Sequence, residues 1–181
     1  MKKIGFIFLI AVFFCSCERH MRVDTSVMPA ATETGAHTFG CLVDGWAYVG
    51  GRYYDQGSPY IYDTNHSIVF TYSSNNTVDV CVKVEGTPDY EENKYLKFTI
   101  NNVDITKPAP QNCNFTNARF SVTRATDGND IALDNEGIVK ITNITSNDSV
   151  KFMSGTFYGT RISEGRFDVH YRNPLQQKTE F

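Results

Sequence analysis

Five aromatic side chains with polar handles fall close together in the first third of the chain. They are Trp46, Tyr48, Tyr53, Tyr54 and Tyr60. The sequence VGGRYYDQGSPY that links them has the glycine and proline content of an exposed loop. Aromatic rings that carry an N–H or O–H group are suited to stacking on a sugar ring or anchoring a protein partner. These residues therefore predict a binding surface for a glycan or a protein.

A second interpretation of the same residues is purely structural. Tyr48 and Tyr62 would pack in the core, whereas Tyr53 and Tyr54 would cover the edge of a sheet. Both interpretations stay open at this point.

Residue patterns typical of catalysis or metal binding are not found. The chain has no G-x-S-x-G nucleophile segment. Of its 4 histidines, His20 and His37 lie in or beside the N-terminal tether, His66 lies in a predicted turn and His170 on the exposed face of the last strand, so we expect no zinc site. The acidic stretch TDGNDIALDNEG (126–137) fails the EF-hand pattern, because Ile131 falls where a calcium ligand is required. We expect no catalytic residues, no metal and no cofactor.

Three cysteines follow the N-terminal region: Cys41, Cys81 and Cys113. Cys41 shares its strand face with Phe39 and Val43, so we expect a buried side chain that packs as a small hydrophobic group. Cys81 lies on the face opposite a row of valines, and Cys113 lies in a Pro-containing loop. In an oxidising compartment Cys81 and Cys113 are a candidate disulfide, which would stabilise the fold by about 3 to 4 kcal/mol.

The elements that must position these side chains are β-strands. Alternation of apolar and polar residues recurs after residue 37, and no helical period is sustained. Between TFGCLV and WAYVG stands Asp44-Gly45, a dipeptide favoured in tight type I′ hairpins. In GRFDVHY the alternation places Phe167, Val169 and Tyr171 on one face.

Nine or ten short strands with polar turns and no crossover helix indicate an all-β, antiparallel fold. We predict a β-sandwich, because the long Pro-containing connection over 104–117 suits a strand that changes sheets. An up-and-down β-barrel is the alternative, since the C-terminal third has the pattern of a plain meander.

The N-terminus has the pattern of a bacterial lipoprotein signal. Lys2 and Lys3 precede an apolar run over 4–14, which is too short to span a membrane. Ser16 stands directly before Cys17, with polar residues after it, as in a lipobox. We expect cleavage before Cys17, acylation of its thiol and anchoring at the outer membrane of a Gram-negative cell, with the leaflet left open. Simple secretion after cleavage near Ser16 is the alternative.

This interpretation divides the chain into four parts. They are a signal peptide (1–16), a lipidated N-terminus with a flexible tether (17–37), an antiparallel β domain (38–174) and a C-terminal tail (175–181). Loss of Lys2 and Lys3 with the leader leaves 15 basic and 20 acidic side chains. The resulting net charge of −5 argues against nucleic acid as a partner.

Several segments together resemble a known group of proteins. They are TFGCLVDG with an aromatic residue three positions after its last glycine, VKITNI, SGTF and GRFDVHY. As a set they are similar to the uncharacterised β-rich lipoproteins abundant in Bacteroidetes-type bacteria. The chain departs from that group at Trp46, where a polar residue is common, at Tyr48, where Trp is common, and at Gly50, where Pro is frequent. The resemblance implies an exported, lipid-anchored domain and brings no catalytic residues with it.

We therefore expect a lipid-anchored envelope protein that binds a glycan or an envelope protein through its aromatic loops. The alternatives are an enzyme acting on an envelope or host polymer and a small lipid-carrier or inhibitor barrel. An apolar cavity of at least about 300 Å³ that opens to solvent would favour the carrier. An exposed aromatic patch would favour sugar or protein binding.

Overall fold

The structure is a computed structural model that describes residues 28–50, 68–86, 94–121, 130–147 and 150–172. These ranges contain ten strands and no helix. The strands are β1 (Thr38–Val43), β2 (Trp46–Gly50), β3 (Ile68–Ser73), β4 (Thr77–Gly86), β5 (Lys94–Asn101), β6 (Gln111–Ser121), β7 (Ile131–Ala132), β8 (Glu136–Ser146), β9 (Lys151–Tyr158) and β10 (Ile162–Arg172). In the described part of the chain, no helix is long and apolar enough to cross a membrane.

Most strands form where the alternation predicts them, but β6 begins at Gln111, inside the predicted loop that contains Cys113. In β4 the four valines of TVDVCVKV are buried, whereas Asp79 between them is exposed. Phe167, Val169 and Tyr171 of β10 are buried in the same way. Asp44 and Gly45 have φ angles of 50° and 84°, as both central residues of a type I′ turn require. The predicted hairpin between β1 and β2 is confirmed.

Eight strands close into one up-and-down barrel. Around the ring the order is β1-β2-β4-β5-β6-β8-β9-β10, and β10 pairs with β1 to complete it. Every pairing within this ring is antiparallel. Two strands are additional to these eight: β3 lies in the wall between β4, with which it pairs antiparallel, and β10, with which it pairs parallel, and the short β7 pairs with β6.

The all-β prediction is confirmed, the β-sandwich is wrong, and the barrel alternative is correct. The connection over 104–117 does not carry the chain to a second sheet. Its residues from Gln111 onward already belong to β6, which pairs with the preceding strand β5. Strands that follow one another around a ring in chain order form a meander, and closure removes the exposed edges of the sheet.

Phenylalanines fill the interior, and four of them each face a glycine directly across a neighbouring strand. The pairs are Phe39 with Gly50, Phe115 with Gly137, Phe157 with Gly165, and Phe167 with Gly155. All four rings are at most 3% exposed. An eight-stranded barrel leaves an interior just wide enough for side chains, so the missing side chain at each glycine makes room for a ring.

We expect Gly165→Ala to lower the free energy of unfolding by about 2 kcal/mol, because small-to-large changes in a packed core force neighbours to shift. A Cβ at Gly165 would lie 2.5 Å from the carbonyl oxygen of Phe157 and 2.6 Å from its ring. Urea denaturation followed by circular dichroism measures the change. Gly45→Ala is a poor control because Gly45 has a positive φ, so Thr156→Ala on the exposed face of β9 serves instead. An unchanged midpoint for Gly165→Ala would contradict the role of the glycine.

Cys41 is fully buried, as predicted, and burial raises the pKa of its thiol to about 12. A thiol with such a pKa stays protonated at neutral pH and is a poor nucleophile. Cys41 is therefore part of the packed core.

The predicted disulfide between Cys81 and Cys113 is not formed, and the barrel explains why. Cys81 is partly exposed on the outer face of β4, whereas Cys113 is buried on the inner face of β6. Cys81 pairs with Lys97, which pairs with Arg119 on β6. Cys113 lies six residues further along that strand, about 20 Å away. A disulfide requires Cα atoms within about 7 Å, so this pairing is wrong.

Residues 28–37, predicted as part of a flexible tether, lie against the outer wall of the barrel. We call this segment the arm. The backbone N–H groups of Thr34, Gly35 and Ala36 donate hydrogen bonds to Asp168 of β10. The prediction is therefore corrected for this part of the tether, and residues 17–27 lie outside the described residues.

Candidate functional site

The inside of the barrel is occupied by the protein itself. The rings of Phe39, Phe98 and Phe157 form one cluster, with Phe157 centred 5.4 Å from Phe39 and 5.2 Å from Phe98. Phe115 and Phe167 extend it, with ring centres 6.3 and 6.2 Å from that of Phe157. A ligand inside the barrel would have to displace these rings, so a functional site is better sought on the outer wall.

The two predicted binding residues that the structure describes have opposite exposures. Trp46 is 52% exposed at the first position of β2. Tyr48 is buried, and its ring packs 4.8 Å from that of Phe120. Both side chains belong to the same strand face, but Trp46 stands at the end of its strand. Tyr48 is therefore a core residue, and its prediction as a binding residue is corrected.

The remaining predicted site residues, Tyr53, Tyr54, Tyr60 and the lipidation site Cys17, lie outside the described residues. Of the two of these five aromatic residues that the structure describes, only Trp46 is exposed.

A shallow groove of about 370 Å³ opens on the outer wall where β6, β8 and β9 run side by side. Its lining residues are Asn114, Glu136, Gly137, Ile138, Tyr158, Gly159 and Thr160. Polar groups share the groove with apolar ones, which differs from the apolar cavity that a lipid carrier needs.

An aromatic and an aliphatic side chain form the floor of this groove. Tyr158 on β9 stands directly opposite Ile138 on β8, and Ile138 stands opposite Asn114 on β6. Tyr158 is 53% and Ile138 is 49% exposed, although strand residues of their size are usually buried. Phe157, the neighbour of Tyr158, points into the core, so alternation along β9 directs Tyr158 outward.

Polar groups border this floor. The side-chain oxygen of Asn114 accepts a hydrogen bond of 3.1 Å from the amide of Asn102, which orients the Asn114 amide. Exposed Glu136 supplies a carboxylate and exposed Thr160 a hydroxyl group. The groove thus combines a flat ring with hydrogen-bond donors and acceptors at its margin.

A buried carboxylate holds the turn that forms one end of the groove. Asp134, 5% exposed, accepts hydrogen bonds from the backbone N–H groups of Thr160, Arg161 and Ile162 at 3.2, 3.1 and 3.0 Å. Gly159 is required here, because a Cβ at that position would lie 2.5 Å from the carboxylate. Asp134 belongs to the acidic stretch that fails the EF-hand pattern, and its role is to fix a turn. No group of three or more potential metal ligands occurs among the described residues.

An ion pair connects this turn to the hairpin that carries Trp46. The Arg161 guanidinium contacts Asp44 with Nε at 3.1 Å and Nη2 at 2.5 Å, and it donates to the carbonyl of Ala132. The hydrogen bond from Arg161 lowers the pKa of Asp44. Both charged side chains are partly exposed, so the pair orients the two loops and contributes little to stability.

A buried lysine and a buried serine are in contact elsewhere on the barrel wall. Such a pair can be catalytic when the lysine activates the serine hydroxyl. Lys97 Nζ donates a hydrogen bond of 2.9 Å to Ser121 Oγ, and both side chains are buried. A hydrogen bond from Ser121 lowers the pKa of Asp130, burial opposes this shift, and Arg119 lowers the pKa further. Lys97 is 7% and Ser121 1% exposed, so neither polar group is open to a substrate. The contact is that of a structural charge network.

Comparison of the chain with protein-family models, curated proteins and solved structures finds no match. The assignment of the groove as a candidate site therefore depends on its geometry. Sequence reasoning missed Tyr158, although one signal was available: in SGTFYG a second aromatic residue follows Phe157 and must occupy the opposite strand face.

Proposed function

We propose that the protein is a lipid-anchored component of a bacterial outer membrane whose barrel binds a glycan on its outer wall. The lipid anchor is inferred from Lys2, Lys3 and the segment that ends at Cys17, which lie outside the described residues. Binding rather than catalysis is supported by the exposed aromatic floor and by the burial of the one serine–lysine contact considered above.

The single observation that carries the glycan proposal is the position of Tyr158. Its ring is half exposed on a rigid antiparallel wall, with Ile138 beside it and polar groups around it. The C–H face of a sugar packs on such a ring, while its hydroxyl groups hydrogen-bond to carboxylate, amide and hydroxyl side chains. Because the wall is already formed, binding requires little ordering of the protein.

We expect Tyr158→Ala to weaken glycan binding at least tenfold without changing the melting temperature by more than about 2 °C. The substitution removes the stacking surface, and the exposed position makes the loss of core packing small. A glycan array identifies a bound saccharide, and calorimetric titration compares the variants. The matched control is Thr156→Ala, two residues away on the same exposed face of β9. Equal affinities for Tyr158→Ala and Thr156→Ala would reject the groove as the glycan site.

A protein partner is the second candidate, favoured by the exposure of Trp46. Tryptophan is enriched among the residues that dominate protein–protein affinity, and the Asp44–Arg161 pair fixes the hairpin that presents it. Loss of binding in Trp46→Ala with full binding in Tyr158→Ala would select this function over the glycan.

A further inference from the structure

One carboxylate holds the arm to the barrel. Asp168 is 1% exposed, and its two oxygens accept five hydrogen bonds of 3.0 Å or less. The donors are Thr32 Oγ1 at 2.6 Å, Ser154 Oγ at 2.7 Å, Gly35 N at 2.8 Å, and Thr34 N and Ala36 N at 3.0 Å. Four of these donors belong to the arm, and only Ser154 belongs to the barrel wall.

The backbone of the arm is shaped to receive this carboxylate. Gly35 has a φ of 75°, a conformation that glycine adopts readily and other residues rarely. The bend allows three successive N–H groups to point at one anion, the arrangement known as a nest. Asp168 is the anion, and it comes from a strand more than 130 positions later in the chain.

The arm also packs along the wall on either side of Asp168. Pro29 lies against Gly40 of β1, where a Cβ would approach the proline ring to 2.6 Å. Gly35 lies over the ring of Phe152 on β9. Asn143 of β8 donates a hydrogen bond of 3.1 Å to the carbonyl oxygen of Glu33. Contacts with β1, β8, β9 and β10 make the arm a part of the barrel surface.

We propose that the arm is a latch that shortens the connection between the lipid anchor and the barrel. The inference rests on the proposed lipidation of Cys17. With the arm docked, Met28 is the first fixed residue, eleven positions after Cys17, and this stretch can span at most about 40 Å. With the arm released, the first fixed residue is Thr38, twenty-one positions after Cys17, and the limit is about 75 Å. Docking therefore keeps the barrel, and any ligand on its wall, close to the membrane that holds the lipid.

Proteolysis tests whether Asp168 closes the latch. Glu33 is exposed, but its segment is held on the wall, and a protease needs an extended stretch of mobile chain. We expect a glutamyl endopeptidase to cut after Glu33 at least tenfold faster in Asp168→Asn than in the wild type. Asp79→Asn is the matched control, because Asp79 is an exposed outer-wall carboxylate of β4 that accepts a single hydroxyl hydrogen bond from Thr99.

A second variant separates latch opening from damage to the barrel. Ala36→Pro removes one N–H donor from the arm and leaves Asp168 and the wall unaltered. We expect it to accelerate the same cleavage, with the circular dichroism of the barrel unchanged. Cleavage at the wild-type rate in both variants would overturn the latch.

Resonance energy transfer tests whether release of the arm increases the distance between the barrel and the membrane. The chain has one tryptophan, Trp46, which is half exposed and serves as a donor to a dansyl lipid in vesicles that carry the lipidated protein. We expect at least twofold lower transfer for Asp168→Asn than for the wild type and for Asp79→Asn. Equal transfer in Asp168→Asn, despite faster cleavage, would overturn the shortened connection. Failure of wild-type protein to bind vesicles would instead reject the lipid anchor, and the distance proposal with it, while leaving the proteolysis result intact.

Discussion

Phe157→Ala is expected to lower the free energy of unfolding by about 4 kcal/mol, more than any other substitution proposed for this protein. The Phe157 ring is 1% exposed and contacts four other phenylalanine rings. Truncation removes buried apolar surface and leaves a cavity in the middle of the barrel, where the closed wall limits collapse. Aromatic pairs add to this loss. Guanidinium denaturation at equilibrium, followed by fluorescence and circular dichroism, measures it.

The neighbouring residue provides the control. Tyr158 is equally large but points outward, so Tyr158→Ala should change the free energy of unfolding by less than about 1 kcal/mol. A loss below about 2 kcal/mol for Phe157→Ala would show that the rings do not form the packed centre of the barrel.

Asp168→Asn is expected to have the second largest effect, a loss of about 2 to 3 kcal/mol at neutral pH. An asparagine can replace one oxygen, but its NH₂ group then faces backbone N–H groups that need an acceptor. Measurement by urea denaturation at pH 7 gives the value, with Asp79→Asn as the control for loss of one outer-wall charge. A loss equal to that of the control would contradict the role of the five hydrogen bonds.

The same carboxylate makes stability depend on pH in a defined range. Burial alone would raise the pKa of Asp168, but hydrogen bonds from Thr32, Ala36, Ser154 and Thr34 more than offset this and lower it from 3.8 to about 2. A folded-state pKa below the unfolded value stabilises the protein above about pH 4, and this stabilisation disappears as the pH falls from about 4 to about 2. The difference between wild type and Asp168→Asn should therefore shrink across that range. A difference that stays constant down to about pH 2 would contradict the assigned pKa.

Local features of the barrel could be predicted because they depend on neighbouring residues. The period of two in TVDVCVKV and GRFDVHY places side chains on opposite faces, and Asp44-Gly45 supplies the two positive φ angles of a hairpin turn. The burial of Cys41 follows from the same alternation. Tyr158 could also have been found in this way, since it directly follows a core phenylalanine.

The closure of the sheet could not be predicted in the same manner. A sandwich and a barrel have the same alternation, and they differ in whether the first strand pairs with the last. That pairing joins Phe39 to Phe167 across most of the chain. The prediction of a disulfide failed for the same reason, because strand order and register determine the distance between Cys81 and Cys113.

By itself the sequence determined most of the strands and their buried faces, the first turn and an all-β fold, since these follow from backbone geometry and from residues within a few positions of one another. It also led to the predicted lipid anchor at Cys17. Only the tertiary structure decided that the sheet closes, that Tyr48 is buried while Tyr158 is exposed, and that the arm is fastened by Asp168. These outcomes depend on contacts between residues far apart in the chain, and such contacts leave no periodic pattern in the sequence.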